Sequence, residues 1–212
     1  MKSKGLVTVL SGFSGAGKGT IMKHLLEEYP DTYFLSISAT TRTPRPGEQN
    51  GREYFFMSEA DFENMIENND LLEYAKFNGN YYGTPKDYVE EMLDEGKNVL
   101  LEIEVQGALQ VKKIYPEALL LFVTPPSAEE LKNRLVGRQT DDPDVILSRL
   151  SIAYDESHLM DKYDYLIVNS EIEDAVEEVH TIINAERYRT ARRTEMIEKM
   201  QNELLQYKKG DK

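Results

Sequence analysis

Apolar residues along the chain gather into short unbroken runs separated by stretches with helical spacing. Leu6 to Leu10, Val99 to Val105, Leu119 to Val123 and Tyr165 to Val168 are four such runs. Continuous apolar runs of this length are typical of strands buried on both faces of a parallel sheet. Phe34 to Ile37 is a weaker fifth. Helical patterns between the runs imply βαβ crossovers. Ser58 with Asp61, and Ser127 with Glu130, are capping boxes at predicted helix starts. Thr84-Pro85 looks like an N-cap followed by a favoured first helical residue, and Gly96 closes that helix.

Residues 36–83 interrupt the alternation. They are polar, rich in Tyr, Gly and Asn, and too long for an ordinary connection. They are predicted to form an inserted subdomain of short strands and a helix. A second irregular stretch, roughly 137–144, is a candidate lid. Near the C-terminus, Met196, Met200 and Leu204 recur at helical spacing, which predicts a terminal helix with one docked face.

A length of 212 residues suits one α/β domain with small insertions. The chain lacks Cys, so no disulfide framework is expected. No apolar run approaches the roughly 18 residues of a membrane span, and Leu6 to Leu10 is too short for a signal-peptide core. The expectation is a soluble cytoplasmic protein that binds neither membrane nor nucleic acid, because a net charge of −13 repels a polyphosphate backbone. A small phosphorylated ligand would need a local arginine cluster set against that field.

One motif carries most of the chemistry. The run Leu6 to Leu10 leads into Gly12-Phe13-Ser14-Gly15-Ala16-Gly17-Lys18-Gly19-Thr20, and Ile21, Met22, Leu25 and Leu26 then repeat at helical spacing. Strand, glycine loop and helix are the context of a phosphate-binding loop. Its backbone N–H groups and helix N-terminus attract phosphate oxygens, and Lys18 adds a full charge toward the β- and γ-phosphates. Gly19 follows Lys18 where a hydroxyl usually reaches Mg²⁺, so a metal held through water, phosphates and another carboxylate is expected.

The insert supplies a second set. Arg42 and Arg45 lie three apart in a segment stiffened by Pro44 and Pro46. Two guanidinium forks held close suit a phosphate dianion, although a solvated loop would also carry them. Tyr54 and Tyr82 can donate to phosphate or simply pack. Glu73 is a carboxylate on a predicted strand, and Glu102 and Glu104 end the Val99 strand on one face. Arg134 and Arg138, four apart on a helix, and then Arg149, are candidate lid residues or an exposed basic face.

The phosphate loop, Thr-Thr-Arg-Thr-Pro-Arg-Pro-Gly-Glu and Gly-Asn-Tyr-Tyr-Gly-Thr together resemble the guanylate kinase family from about Gly5 to Glu186. The resemblance implies an α/β fold with a P-loop parallel sheet core (5–35 and 96–186), a GMP-binding insert (36–95), a short lid (about 127–149) and a helical tail (187–212). It implies ATP:GMP phosphotransfer, with dGMP as a further acceptor and Mg²⁺ accompanying ATP. By similarity ATP would lie on Gly12 to Thr20 with Arg134 and Arg138. Arg42, Arg45, Tyr54 and Tyr82 would hold the GMP phosphate, and Ser38, Glu73, Thr84 and Glu104 would face the guanine. Lys18, Arg42, Arg138 and Arg149 would be catalytic, and Glu102 would stand near the metal. Family members favour Asp where this chain has Glu102 and Glu104. Three rivals stay open at this stage: a related kinase for another acceptor, a protein-binding module of the same fold, and a regulatory NTPase. A homo-oligomer is also left open.

Overall fold

The computed structural model describes residues 5–77, 79–137 and 142–208. All five apolar runs pair into one parallel sheet. Its strands are β1 (Val7–Gly12), β2 (Tyr33–Leu35), β7 (Asn98–Glu102), β8 (Leu119–Thr124) and β9 (Tyr165–Val168), in the spatial order β2-β7-β1-β8-β9. Strand alternation divides β1 between two cores. Leu6 and Leu10 face α1 (Lys18–Glu28) and α7 (Ile172–Glu186), whose Ile21, Leu25, Val179 and Ile183 are fully buried. Val7 and Val9 face the opposite way, toward α3 (Lys86–Asp94) and α4 (Val105–Ile114), burying Val89 and Val111. Burial on both faces is why these strands appear as continuous apolar runs rather than alternating ones.

The segment between β2 and β7 builds a second, four-stranded sheet. Here β3 (Ala39–Thr40), β4 (Phe55–Phe56), β5 (Leu71–Phe77) and β6 (Asn80–Pro85) lie in the order β4-β3-β6-β5. Helix α2 (Glu59–Glu67) covers this sheet. The Ser58 hydroxyl caps it, accepting from Asp61 N–H at 3.1 Å and donating to the Asp61 carboxylate at 2.6 Å. The core of this layer is small: Ala39, Phe62 and Leu71, with the Phe62 ring stacked on Tyr81 at 5.1 Å. Among the described residues the remaining α-helices are α5 (Ala128–Gly137), α6 (Pro143–Ser157) and α8 (Thr194–Leu205). At the start of α5, Ser127 Oγ accepts from Glu130 N–H at 3.1 Å as predicted. Among the described residues, no helix is long and apolar enough to cross a membrane.

Three expectations are revised. The Val99 strand ends at Glu102, and Glu104 becomes the extended N-cap residue of α4. Buried Ile103 still separates the two exposed carboxylates, so both keep to one side although only one belongs to the strand. Thr84 does not cap α3: Pro85 holds the N-cap position and Thr84 lies in β6. The C-terminal segment is helical, but Met196, Met200 and Leu204 are 54%, 44% and 54% exposed, so the predicted docked face is not docked.

Candidate active site

The candidate site lies beyond the carboxyl ends of β1 and β7, where ligands bind in open parallel sheets. On its core side, β1 turns through the glycine loop into α1. Gly17 is the N-cap of α1 with φ 95°, a left-handed conformation that side chains rarely adopt. A Cβ there would also stand 2.3 Å from the Asn169 amide nitrogen. Lys18 Nζ folds over the loop, donating to Gly12 O at 2.7 Å and Phe13 O at 3.3 Å. Arg149, from α6, donates to Ser14 Oγ at 3.0 Å.

Asn169 drew no attention in the sequence, yet it braces the loop. It is buried at the end of β9, where its side-chain amide donates to Ala16 O at 2.8 Å. Its backbone carbonyl accepts from Arg134 Nη2 at 2.9 Å, while Arg134 Nε pairs with Glu130 at 2.8 Å. A helix arginine is thus linked to the phosphate loop through one asparagine. No local pattern marks an Asn after an apolar strand as special; only the fold brings it to Ala16. Arg138 lies outside the described residues.

Carboxylates face Lys18. Glu102 stands beside the backbone of Gly19, its Oε1 3.6 Å from where a Cβ would be. Surrounding protein pushes its carboxyl above the usual range, Lys18 opposes that, and Glu104 adds to it. Glu156 of α6 is half-buried and is pushed up to about 7, by burial first and by Glu104 second, again with Lys18 opposing. Its charge is invisible to sequence reasoning because α6 meets the loop only in the folded chain.

The opposite wall is the second sheet. Arg42 makes a two-pronged pair with Glu48, Nη1 to Oε2 at 3.0 Å and Nη2 to Oε1 at 2.9 Å. Its guanidinium carbon lies 5.4 Å from the Tyr54 ring centre and 5.7 Å from that of Phe56. The Tyr54 and Tyr82 rings meet edge-on at 6.0 Å. Burial raises the Tyr54 hydroxyl pKa, with further contributions from Tyr82 and from Glu102 on the core strand, while Arg42 lowers it. Glu102 on the core strand is thus close enough to Tyr54 to act on its hydroxyl, so this sheet lies beside the carboxyl end of β7. Arg45 is exposed, and the loop engages its backbone N–H.

Glu73 is buried at 7% exposure, an unusual position for a carboxylate. A β-bulge puts it there. Leu71 pairs with Pro85 and Tyr74 with Gly83, so Leu72 and Glu73 together oppose Thr84 alone. Thr84 Oγ1 donates to Glu73 Oε1 at 2.7 Å, and Oε2 lies against Gly107 of α4. Burial pushes the Glu73 carboxyl up, the Thr84 hydrogen bond pulls it down, and Glu104 nearby raises it again. Ser38 immediately precedes β3 and is half-buried, its carbonyl accepting from Phe55 N–H at 2.9 Å.

A phosphate loop facing an arginine, two tyrosines and a buried carboxylate suits phosphoryl transfer to a small acceptor. Known proteins agree. The guanylate kinase family model matches residues 4–186. A guanylate kinase of Clostridium tetani is 52% identical over 189 residues, covering 89% of this chain and 90% of that protein. One from Lactococcus lactis is 53% identical over 192 residues, covering 91% and 93%. The crystal structure of guanylate kinase from Anaplasma phagocytophilum superposes with a TM-score of 0.70 at 34% identity, covering 90% of each chain. On the extent and depth of these matches, the chain belongs to the guanylate kinase family, whose reaction is the phosphorylation of GMP by ATP.

Proposed function

We propose that this chain carries out that reaction with residues 36–95 as the acceptor-binding insert and the glycine loop as the donor site. Arg42, Arg45, Tyr54 and Tyr82 take the GMP phosphate. Ser38, Glu73, Thr84 and Glu104 face the guanine. The loop from Gly12 to Thr20, with Arg134 and Arg138, takes ATP. An oxygen of the GMP phosphate attacks the γ-phosphorus in line, that P–O bond forms, and the bond to the β-phosphate oxygen breaks to leave ADP. Lys18, Arg42, Arg138 and Arg149 neutralise the charge that spreads over the transferring group, and the protein's work is positioning and electrostatics. No general base is needed. Closure of the insert and of a lid over about 127–149 would exclude water. The same site accepts dGMP in this reading, and the enzyme is a soluble cytoplasmic one.

The residues fit Mg²⁺ as a companion of ATP. Among the described residues no cluster of three or more His, Cys, Asp or Glu could hold a metal alone. Mg²⁺ commonly keeps its waters and binds through phosphates and one or two carboxylates. Glu102, beside Gly19 and Lys18, is the carboxylate in place for a water-mediated contact. When bound, the ion neutralises β- and γ-phosphate charge.

The observation that carries the guanine assignment is the buried Glu73. A carboxylate offers about four acceptor sites, and the Thr84 hydroxyl uses one. Guanine presents two parallel N–H donors on one edge, whereas adenine presents a ring acceptor there. Glu73→Gln turns an –NH₂ toward one guanine donor. The ratio of kcat/KM for GMP over AMP should fall about ten- to a hundredfold. Parallel losses on both nucleotides, leaving the ratio unchanged, would remove Glu73 from base recognition.

A further inference from the structure

We infer that Glu48 is a positioning residue for the acceptor phosphate, holding Arg42 so that the other edge of its guanidinium, beside the Tyr82 hydroxyl, is turned toward a phosphate dianion. The inference rests on the acceptor site proposed above. A guanidinium has five N–H donors fixed in a plane. Three are engaged within the loop: Nη1 donates to Glu48 Oε2 and to Thr43 O at 2.8 Å, and Nη2 donates to Glu48 Oε1. The two others are Nε–H and the second N–H of Nη2. They lie on one edge and run parallel, the fork that matches two oxygens of a phosphate. The Tyr82 hydroxyl is within hydrogen-bonding reach of this guanidinium, so Tyr82 and the phosphate would share that edge, and the Tyr54 and Phe56 rings border it.

The backbone sets Glu48 in place. Arg45-Pro46-Gly47-Glu48 has the form of a type II turn, with Pro second and Gly third at φ 91°. Glu48 N–H donates to Arg45 O at 3.0 Å, and Glu48 Oε2 accepts from Arg45 N–H at 2.7 Å. One carboxylate thus fixes both the fork of Arg42 and the backbone from which Arg45 springs. The Arg42 and Glu48 side chains are only 14% and 18% exposed in a loop that is otherwise largely open. This pair is an internal brace of the loop, unlike a solvated surface ion pair.

A competing role would have Glu48 occupy the phosphate's place and be displaced by GMP. The two roles predict opposite signs. GMP and ATP binding are titrated calorimetrically on the wild type, Glu48→Gln, Arg42→Ala and the double variant. For a positioning residue, Glu48→Gln weakens GMP about tenfold and leaves ATP unchanged. The double variant then binds GMP no worse than Arg42→Ala alone, because Glu48 acts through Arg42. General damage to the insert would instead make the two losses add, and that overturns the inference. Unchanged or tighter GMP binding in Glu48→Gln, beside a loss in Arg42→Ala, overturns the positioning role alone. Unchanged GMP binding in Arg42→Ala overturns the acceptor site itself. If Glu48→Gln does not fold, Glu48→Asp keeps the charge but withdraws it by a methylene. It should weaken GMP and spare ATP, and an unaltered GMP affinity there also overturns the inference.

Discussion

Around the phosphate loop the polar groups are backbone amides and carbonyls, set by Gly17 and the start of α1 and seated on the five-stranded sheet. Around Arg42 they are side chains, seated on a four-stranded sheet whose buried core is Ala39, Phe62 and Leu71. A backbone site is rigid wherever its strand and helix are rigid. A side-chain site needs braces: Glu48 under Arg42, the bulge behind Glu73, and Tyr54 against Tyr82. The glycine-loop wall is therefore fixed by the central fold, and the Arg42 wall depends on a small layer with its own packing.

The largest expected effect tests that dependence. Phe62 is fully buried and central to the second layer. Phe62→Ala should cost about 3–5 kcal/mol. Hydrogen exchange should show the lost protection in the amides of β3, β5 and β6, with β1 and β8 retaining theirs. Equal loss in both sheets would mean that the two walls share one cooperative core.

The donor wall should behave in the opposite way. Lys18 Nζ donates to the loop carbonyls of Gly12 and Phe13 and contributes no apolar burial to the core. Lys18→Ala should lower kcat about a hundred- to a thousandfold, as loss of a charge-stabilising donor does. Stability should move by less than about 0.5 kcal/mol. Near-normal turnover in the folded variant would end the donor assignment.

A smaller effect sharpens the comparison through pH. Glu156 has a folded-state pKa of about 7 against an ordinary 4.5, so the folded protein binds this proton more tightly than the unfolded chain. Its contribution is present below pH 4.5 and is lost as pH rises toward 7. Replacing it with Gln removes the cost of ionising it beside the loop. After allowance for solvent screening at this half-buried site, Glu156→Gln should be more stable than wild type by about 1–2 kcal/mol at pH 8. The gain should shrink toward pH 5. Urea denaturation at both pH values measures it, and a gain independent of pH would show that packing, not charge, is responsible.

The five core strands, the glycine loop and both serine caps were legible in the sequence, because each rests on residues near one another in the chain. Apolar runs, N-cap spacing and Gly-rich turns are local signals. The misreadings came where long-range contacts overrule local ones. Thr84 has the chemistry of a cap, but strand pairing draws it into β6 and gives its hydroxyl to Glu73. Met196, Met200 and Leu204 have the spacing of a docked face, but periodicity does not supply a surface to dock on.

The sequence by itself determined a parallel α/β sheet, a glycine loop of the P-loop kind and the family to which the chain belongs. Only the tertiary structure decided that Glu73 is buried by a bulge, that Asn169 ties Ala16 to Arg134, and that Glu48 takes one edge of Arg42 beside Tyr82. The physical reason is the range of the forces involved. Hydrogen bonds of loops and helix starts close over a few residues, whereas register, burial and the pairing of charges across a cleft exist only once distant segments have packed together.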